Sequence, residues 1–215
     1  MSILLIRHGE TALNVARVLQ PADTPLSARG HIQAQALAQR LGALGVSCIL
    51  SSDLPRALQT AQAIAAVTGA PIETSALLHE RNFGDFRGLP YDDMGVNPLT
   101  MLDAPPNGES AEAFAQRVAL AFGLIVQRRK VLADTLGSVG SSRGGTLAVV
   151  THGLVLRTLF AAQLRLPDGT PAPSHFGNTS LSVLDAEAPH RVTLLDCTRH
   201  LEGGARDDAK ALSGG

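Results

Sequence analysis

The chain has 215 residues, of which 45% are hydrophobic and 17% charged. This length and composition exclude a wholly disordered chain and favour one large domain, although two smaller ones are not excluded. The 18 basic and 19 acidic residues give a net charge of −1. Such a balance excludes the overall positive field that gathers nucleic acid or anionic membranes, so any electrostatic recognition has to be local.

The two cysteines and the short first apolar run both favour a cytoplasmic location. Cys48 and Cys197 form no Cys-x-x-Cys pair, which argues against a disulfide framework and against a zinc ribbon. The run from Ile3 to Ile6 is too short for a secretory signal, and nowhere do about 18 apolar residues follow one another. We therefore expect a cytoplasmic protein that does not contact a membrane.

Strand and helix patterns alternate in the first third of the chain. Continuous apolar runs predict strands that are buried on both faces, and apolar residues three and four apart predict amphipathic helices. In chain order these are a strand at Ile3 to Ile6, a helix from Ser27 to Gly45, a strand at Val46 to Leu50, a helix from Asp53 as its N-cap to Gly69, and a short strand near Ile72.

The rest of the chain continues the alternation after a long loop. Residues 80–106 are rich in Gly and Pro, which predicts a loop with one short helix after Pro90, suited to lie over a site as a lid. The later elements are a long helix from Glu109 to Leu132, a surface linker from Gly137 to Gly145, a strand at Thr146 to Val150, a helix at Leu154 to Leu164, and a hairpin of strands at Ser180 to Leu184 and Val192 to Leu195, with Ala188 and Pro189 in its turn.

This order of elements predicts an α/β fold. We expect a three-layer sandwich with a mostly parallel central sheet, helices on both faces, and the lid, about residues 81–108, over the carboxyl ends of the strands. Residues 1–202 would form this domain, and residues 203–215 a flexible C-terminal tail.

Charged and polar side chains follow three of the predicted strands. Arg7 and His8 come directly after the first strand, Arg56 lies one turn beyond the second, and His152 follows the strand that begins at Thr146. Parallel strands place their carboxyl ends at one edge of the sheet, so these four side chains should form one cationic pocket.

A pocket of this kind suits a phosphoryl group. Guanidinium groups bind phosphate oxygens with several donors each, and one histidine can attack phosphorus while the other stabilises charge on the equatorial oxygens. Glu80, just after the third strand, is the first carboxylate in the right region to protonate a leaving oxygen. The chemistry requires no metal, and we expect no cofactor.

Several sequence blocks, in order, resemble the phosphoglycerate-mutase-like branch of the histidine phosphatase superfamily. The blocks are Leu5-Ile6-Arg7-His8-Gly9-Glu10-Thr11 with Asn14, Pro25-Leu26-Ser27 with Gly30, Ser51 and Asp53 with Arg56, Thr60 and Ala61, Glu80 with Phe83, Gly84 and Gly88, and Val150-Thr151-His152-Gly153. The resemblance covers nearly the whole chain, and it implies a phosphoryl-transfer enzyme on the α/β fold described above.

The resemblance also implies individual roles at the site. His8 would be the nucleophile that becomes phosphohistidine, and Arg7, Arg56 and His152 would bind the phosphoryl oxygens. Glu80 would protonate the leaving group and then activate water.

Two further positions are implied to line the phosphate pocket, and three depart from the family pattern. Asn14 and the amide of Gly153, at a helix N-terminus, would contact the phosphoryl group. Leu13 replaces a frequent Trp, Pro21 follows Gln20 where Gly is frequent, and Arg87 stands where an acidic residue is common. These departures leave the catalytic set intact and affect the expected substrate contacts.

The arginines and the acid of this pocket also have alternative interpretations. Arg7 and Arg56 could be ion-pair partners of Asp53. Besides Glu80, the carboxylates of Asp53, Glu10 and Asp85 are nearby in sequence, and we expect Glu10 to orient the loop after His8.

Other conspicuous motifs are interpreted without chemistry. Residues 140–144 match Gly-x-Ser-x-Gly but precede a strand, whereas a nucleophile elbow follows one, so we interpret them as linker. Residues 128–130, Arg-Arg-Lys, are interpreted as the solvated end of a helix. The remaining histidines have no metal-ligand spacing and are interpreted as surface or packing residues: His31, His79, His175, His190 and His200.

These observations favour a phosphatase that acts on a small phosphomonoester, with no nucleic acid as partner. A mutase needs extra cations for a second phosphate, and residues 81–108 offer only Arg81 and Arg87 and no lysine. The alternatives are mutase-type phosphoryl transfer and a non-catalytic phosphate-ligand binding protein on the same fold. The identity of the substrate, and whether the chain forms a homodimer, are left open.

Overall fold

A six-stranded sheet forms the centre of the protein in a computed structural model that describes residues 2–138 and 145–202. Its strand order is β3-β2-β4-β1-β5-β6. The strands are β1 (Ser2–Arg7), β2 (Val46–Ser51), β3 (Ile72–Thr74), β4 (Thr146–Thr151), β5 (Leu181–Asp185) and β6 (Val192–Cys197). The predicted strands are therefore all present, and the hairpin of β5 and β6 closes one edge.

Five of the six strands of the sheet run in the same direction, and β5 runs the opposite way. β1 pairs in parallel with β4, β4 with β2, and β2 with β3, whereas β5 pairs antiparallel with β1 and β6. The register places Arg7 beside Thr151 and Ser51 beside Val150. The residues that follow β1, β2 and β4 consequently leave the sheet at one edge.

Helices cover both faces of the sheet, as the strand patterns predict. They are α1 (Ala12–Val15), α2 (Ala28–Leu41), α3 (Pro55–Thr68), α4 (Ala111–Ser138) and α5 (Gly153–Ala162). Leu4 and Ile6 pack in one apolar cluster with α2 and α3, and Ile3 and Leu5 pack in a second cluster with α4 and α5. Alternate side chains of β1 thus belong to different layers, and the three-layer sandwich is confirmed.

The predicted start of α3 and the predicted end of α2 are wrong. The N-cap of α3 is Leu54, with no side-chain cap, while the Asp53 carboxylate contacts the imidazole of His79. Pro55 begins the helix because its fixed φ and missing N–H suit the first turn without a capping side chain. α2 ends at Leu41, four residues before the predicted stop, with Gly42 as its C-cap.

The long helix α4 extends past the predicted end at Leu132. No proline interrupts residues 111–138, and the only glycine before position 137 is Gly123. Residues 128–130 therefore lie inside the helix: Arg129 is buried, and Arg128 pairs with Glu73 at 3.0 Å. Their interpretation as a solvated helix end is wrong, because a helix without breakers continues across the sheet.

The predicted lid segment is mostly irregular, with short 3₁₀ turns at Gly84–Phe86 and Tyr91–Asp93. Backbone hydrogen bonds tie it to the loop after α1, from Leu19 N to Leu89 O at 3.0 Å and from Gly88 N to Leu19 O at 2.7 Å. The helix predicted after Pro90 is thus a single turn.

Several predictions concern residues that are not described. The Gly-x-Ser-x-Gly run at 140–144 and the tail at 203–215 lie outside the described residues, and the domain limits of 1–202 stay a prediction. Across residues 2–138 and 145–202, no helix is long and apolar enough to cross a membrane.

The close approach of α2 to the loop after β1 generates a stability prediction. A Cβ on Gly30 would stand 2.0 Å from the carbonyl oxygen of Glu10, whereas one on Gly123 would meet nothing within 4 Å. We expect Gly30→Ala to lower the free energy of unfolding by about 1–3 kcal/mol. The control Gly123→Ala, in the middle of α4, should raise it by about 0.5–1 kcal/mol. Urea denaturation of both variants checks this, and a Gly30→Ala protein as stable as the wild type would contradict it.

Candidate active site

The edge where β1, β2 and β4 end brings together two histidines and two arginines. Arg7 is the last residue of β1 and His8 follows it, His152 is the N-cap of α5, and Arg56 is the second residue of α3. The two imidazole rings lie with their centroids 5.1 Å apart. All four side chains are almost completely buried. The structure thus assembles the cationic pocket that the sequence predicts.

The imidazole ring of His8 is oriented by the carbonyl group of the next residue, Gly9. Its Nδ1 lies 2.7 Å from the carbonyl oxygen of Gly9, which assigns the ring proton to Nδ1 and leaves a lone pair on Nε2. Nε2 is buried and has no hydrogen-bond partner among the described residues. Burial, reinforced by the charges of Arg56 and Arg7, holds the pKa of His8 well below its ordinary value. The ring is therefore a neutral imidazole with a lone pair available for attack on an electrophile.

His152 has the same electrostatic environment. Its Nε2 lies 2.9 Å from the hydroxyl of Ser52, and its Nδ1 is buried with no hydrogen-bond partner among the described residues. Burial first, and then the charges of Arg56, His8, His79 and Arg7, lower its pKa. An anion entering the pocket would oppose these effects, so this ring can take up a proton when phosphate binds. Nothing in the sequence indicates that Ser52 contacts His152.

The two arginines are held by carbonyl oxygens. Nη1 of Arg7 donates to the carbonyl of Phe176 at 2.6 Å, and Nη1 of Arg56 donates to the carbonyl of Pro21 at 3.3 Å. Burial lowers the pKa of Arg56 to about 10, an effect that Glu80 partly opposes. A carbonyl aims a guanidinium group without neutralising it, so positive charge is retained for a bound anion.

Asp53 is not the partner of these arginines. Its carboxylate is half exposed and contacts His79 instead. The structural interpretation of the arginines, as ion-pair partners of Asp53, is therefore not supported.

Glu80 is a buried carboxyl group next to the cationic pocket. One of its oxygens accepts the amide of Arg81 and the other the amide of Leu154 in the first turn of α5, both at 3.1 Å. Burial raises its pKa, although the two amides and the charges of Arg56 and Arg7 oppose the shift. A raised pKa keeps the group protonated closer to neutral pH, as a proton donor requires.

The competing carboxylates have other partners. Asp85 is exposed and accepts both of its hydrogen bonds from Asn107 Nδ2. Glu10 accepts a hydrogen bond from the hydroxyl of Ser27 at 2.8 Å, which ties the loop after His8 to the start of α2. Glu80 is therefore the carboxyl group whose surroundings best fit an acid.

Side chains from α2 and α3 fasten the loop after His8. The amide of Gly9 donates to Thr60 Oγ1 at 3.1 Å, and the amide of Glu10 donates to Gln33 Oε1 at 2.9 Å. Gln33 gave no signal in the sequence, because it looks like any polar residue of an amphipathic helix. Both bonds keep His8 in register with the pocket.

Asn14 and Gly153 are the two remaining residues that are predicted to contact a phosphoryl group. Asn14 is buried in α1, where its Oδ1 accepts the amide of Thr11 at 3.1 Å in a capping box. Gly153 is buried and begins α5 directly after His152. Contact of either residue with a phosphoryl group stays a prediction.

A cavity of about 800 Å³ opens beside Glu80, on the side of the lid. No group of three or more His, Cys, Asp or Glu side chains able to hold a metal ion occurs within the described part of the chain. The polar residues that line the cavity are His79, Glu80, Asn82, Arg87, Glu109, Ser110 and Arg117.

Comparisons with known proteins find relatives in both sequence and structure. Phosphoglycerate mutase-like protein 4 of Arabidopsis thaliana is 36% identical over 171 residues, which cover 74% of this chain and 69% of that protein. The structure of YhfR from Bacillus stearothermophilus has a TM-score of 0.75 at 30% identity and covers 94% of this chain and 99% of that one. A mycobacterial glucosyl-3-phosphoglycerate phosphatase has a TM-score of 0.68 at 29% identity, with 91% and 98% covered.

The family comparison spans nearly the whole chain. Residues 3–196 match the model of the histidine phosphatase superfamily, branch 1. This range contains every residue of the pocket described above. The chain therefore belongs to the histidine phosphatase superfamily.

Proposed function

We propose that the protein is a metal-independent phosphomonoesterase that acts on a small phosphorylated metabolite through a phosphohistidine intermediate. The observation that carries the proposal is the buried, neutral ring of His8, whose Nε2 lone pair has no hydrogen-bond partner among the described residues and lies within a pocket of positive charge. Such a nitrogen is a competent nucleophile, and the surrounding cations attract the phosphoryl group towards it.

The first half of the reaction transfers the phosphoryl group to the enzyme. Nε2 of His8 forms a bond to phosphorus while the bond from phosphorus to the ester oxygen breaks, and Glu80 gives its proton to that oxygen as it leaves. Arg7, Arg56 and His152 stabilise the negative charge on the three equatorial oxygens. The products of this step are the free alcohol, phosphohistidine and the Glu80 carboxylate.

The second half returns the enzyme to its starting state. The Glu80 carboxylate takes a proton from water, whose oxygen attacks phosphorus as the bond to Nε2 breaks. Inorganic phosphate leaves, and Glu80 is again protonated. The same cations stabilise both transition states, because the equatorial oxygens occupy the same place in each.

Hydrolysis is favoured over mutase chemistry by the cations of the lid. Of the two arginines in residues 81–108, Arg81 donates to the carbonyls of Glu109, Met101 and Asp103. Its guanidinium is thereby committed to the lid, which leaves Arg87 as the cation of this segment for a second anionic group. The names of the relatives include both a mutase-like protein and a phosphatase, so they do not choose between the two reactions.

A non-catalytic phosphate-binding protein is the alternative of a different class. It would be expected to lack at least one reacting group, whereas the residues proposed as nucleophile, proton donor and phosphate-binding cations are all present. Phosphate release in metal-free buffer with EDTA separates an enzyme of the proposed type from a binding protein and from a metal-dependent hydrolase.

The nucleophile can be tested by trapping. Wild-type protein incubated with radiolabelled phosphomonoester and quenched in base should carry label on His8. We expect His8→Ala to abolish labelling and to lower the hydrolysis of 4-nitrophenyl phosphate by about 10³-fold or more. His31→Ala, at an exposed histidine of α2, is the matched control and should be unaffected. Full activity of His8→Ala in clean preparations would disprove the assignment.

The proton donor can be tested by the pH dependence of kcat/KM for phenyl phosphate. His8 has to be neutral, so the rate rises with pH through its lowered pKa, and Glu80 has to be protonated, so the rate falls through its raised pKa. We expect a bell-shaped profile with an optimum on the acid side of neutrality. Glu80→Gln should cost about 10²- to 10⁴-fold and remove the falling limb that Glu80 causes.

The comparison of the Glu80→Gln and wild-type pH profiles isolates the ionisation of Glu80 for two reasons. The ionisation of the substrate phosphate, near a pH of about 6, is common to both enzymes and cancels in the difference between their profiles. Glu112→Gln, at an exposed carboxylate of α4, is the control and should keep the wild-type profile. An unchanged falling limb in Glu80→Gln would assign the acid to another group.

A further inference from the structure

The short segment that carries Glu80, residues 77–80, begins in a single 3₁₀ turn (Ala76–Leu78), and the carbonyl groups of these four residues are held by side chains. Thr151 Oγ1 donates to the carbonyl of Leu78 at 2.8 Å. The carbonyls of Leu77, His79 and Glu80 all accept hydrogen bonds from Arg117 of α4. Four successive carbonyl oxygens, each of which would otherwise need a backbone partner or water, are satisfied in this way.

Arg117 uses every hydrogen-bond donor that a guanidinium group has. Nη1 donates to Leu77 O at 2.9 Å and to His79 O at 2.8 Å, and Nη2 donates to Glu80 O at 3.3 Å. Nε and Nη2 donate to the two carboxylate oxygens of Glu109 at 2.9 and 2.8 Å. An arginine has five N–H donors in a fixed plane, and all five are occupied here. A lysine, with three donors on a flexible stem, could not reproduce this set.

Glu109 fastens the chain on the other side of Glu80. Its amide donates to the carbonyl of Asn82 at 2.8 Å, and its Oε2 accepts the amide of Asn82 at 3.3 Å. The side chains of Arg117 and Glu109 are 20% and 15% exposed, so water competes weakly for their ion pair. The pair therefore holds residues 77–80 and residue 82, with Glu80 between the two attachment points.

The carboxyl group of Glu80 depends on this backbone for its position. It accepts hydrogen bonds from the amides of Arg81 and Leu154, and it forms no salt bridge among the described residues. The charges that act on its pKa are those of Arg56 and Arg7. Arg117 thus contacts the main chain of Glu80 and not its carboxyl group. It therefore affects the position of that carboxyl group more than its pKa.

We propose that Arg117, held in place by Glu109, is a positioning residue for Glu80 as proton donor to the leaving group. The inference rests on the proposed function, since it presupposes that Glu80 is the general acid. Loosening residues 77–80 would move the carboxyl group relative to the ester oxygen, and a misplacement of about 1 Å can cost on the order of 10²-fold in rate.

The test compares two substrates that differ in how much they need the acid. Phenyl phosphate and 4-nitrophenyl phosphate have nearly the same shape, but nitrophenolate leaves readily without a proton, whereas phenolate is a more basic leaving group and gains more from protonation. We expect Arg117→Lys to lower kcat/KM for phenyl phosphate by roughly tenfold or more and for 4-nitrophenyl phosphate by less than about threefold. The falling limb of the pH profile should stay where it is in the wild type.

The matched control is Arg128→Lys, on the same helix. Arg128 pairs with Glu73 at 3.0 Å across a half-exposed surface and does not contact residues 77–80. It should leave both substrates unaffected. Glu80→Gln provides the reference pattern, a larger loss that again falls mainly on phenyl phosphate.

The outcomes separate this inference from the proposed function. If Glu80→Gln loses both substrates equally, the acid role of Glu80 fails and the inference fails with it. If Glu80→Gln discriminates between the substrates but Arg117→Lys loses both equally, or loses neither, only the positioning role is overturned. Circular dichroism and thermal unfolding establish whether Arg117→Lys folds. If it does not, Glu109→Gln has to show the same discrimination, and an equal loss or no loss in that variant overturns the inference.

Discussion

The burial of two guanidinium groups beside two imidazoles is the constraint on which the rest of the structure depends. Arg7, His8, Arg56 and His152 are each at most 1% exposed, at one edge of the sheet. Burial, and after it the nearby positive charges, disfavours the protonated imidazoles and lowers the pKa values of His8 and His152. A phosphoryl group bound there, as we propose, would relieve this electrostatic cost, so the pocket would be arranged in advance for the charge distribution of the proposed reaction.

The surrounding protein has to keep these groups apart from one another and in place. The loop after β1 and the segment before the lid, which begins in a single 3₁₀ turn, belong to no strand or α-helix, and side chains of neighbouring elements satisfy several of their backbone groups. Thr60 and Gln33 hold the amides that follow His8, and Arg117 holds the carbonyls around Glu80. His8 and Glu80, the proposed nucleophile and acid, are thus positioned by different helices on opposite faces of one sheet. This arrangement fixes both loops without extending any strand into the pocket.

Local sequence patterns predict the structure correctly where a single strand or helix determines it. The apolar run before Arg7 predicted a buried strand, and the position of His152 after another such run predicted that it would lie near His8. The sequence patterns give a wrong prediction where contacts with neighbouring elements determine the structure. Asp53 has the chemistry of an N-cap, yet His79 lies close enough to take its carboxylate, and residues 128–130 have the charge of a solvated helix end although α4 continues to Ser138. Gln33, Ser52 and Arg117 are ordinary polar residues in sequence, and their importance follows only from what they contact.

The sequence by itself determined the family, the α/β architecture and the set of residues at the carboxyl ends of the strands. It could do so because strand burial, helix periodicity and the residues that directly follow a strand are local properties of the chain. The tertiary structure alone decided which carboxyl group faces the pocket, which tautomer His8 adopts, and how the segment carrying Glu80 is held. Those properties arise from contacts between residues far apart in sequence, such as Glu80 with Leu154 and Arg117 with Leu77, and from burial that no single segment encodes.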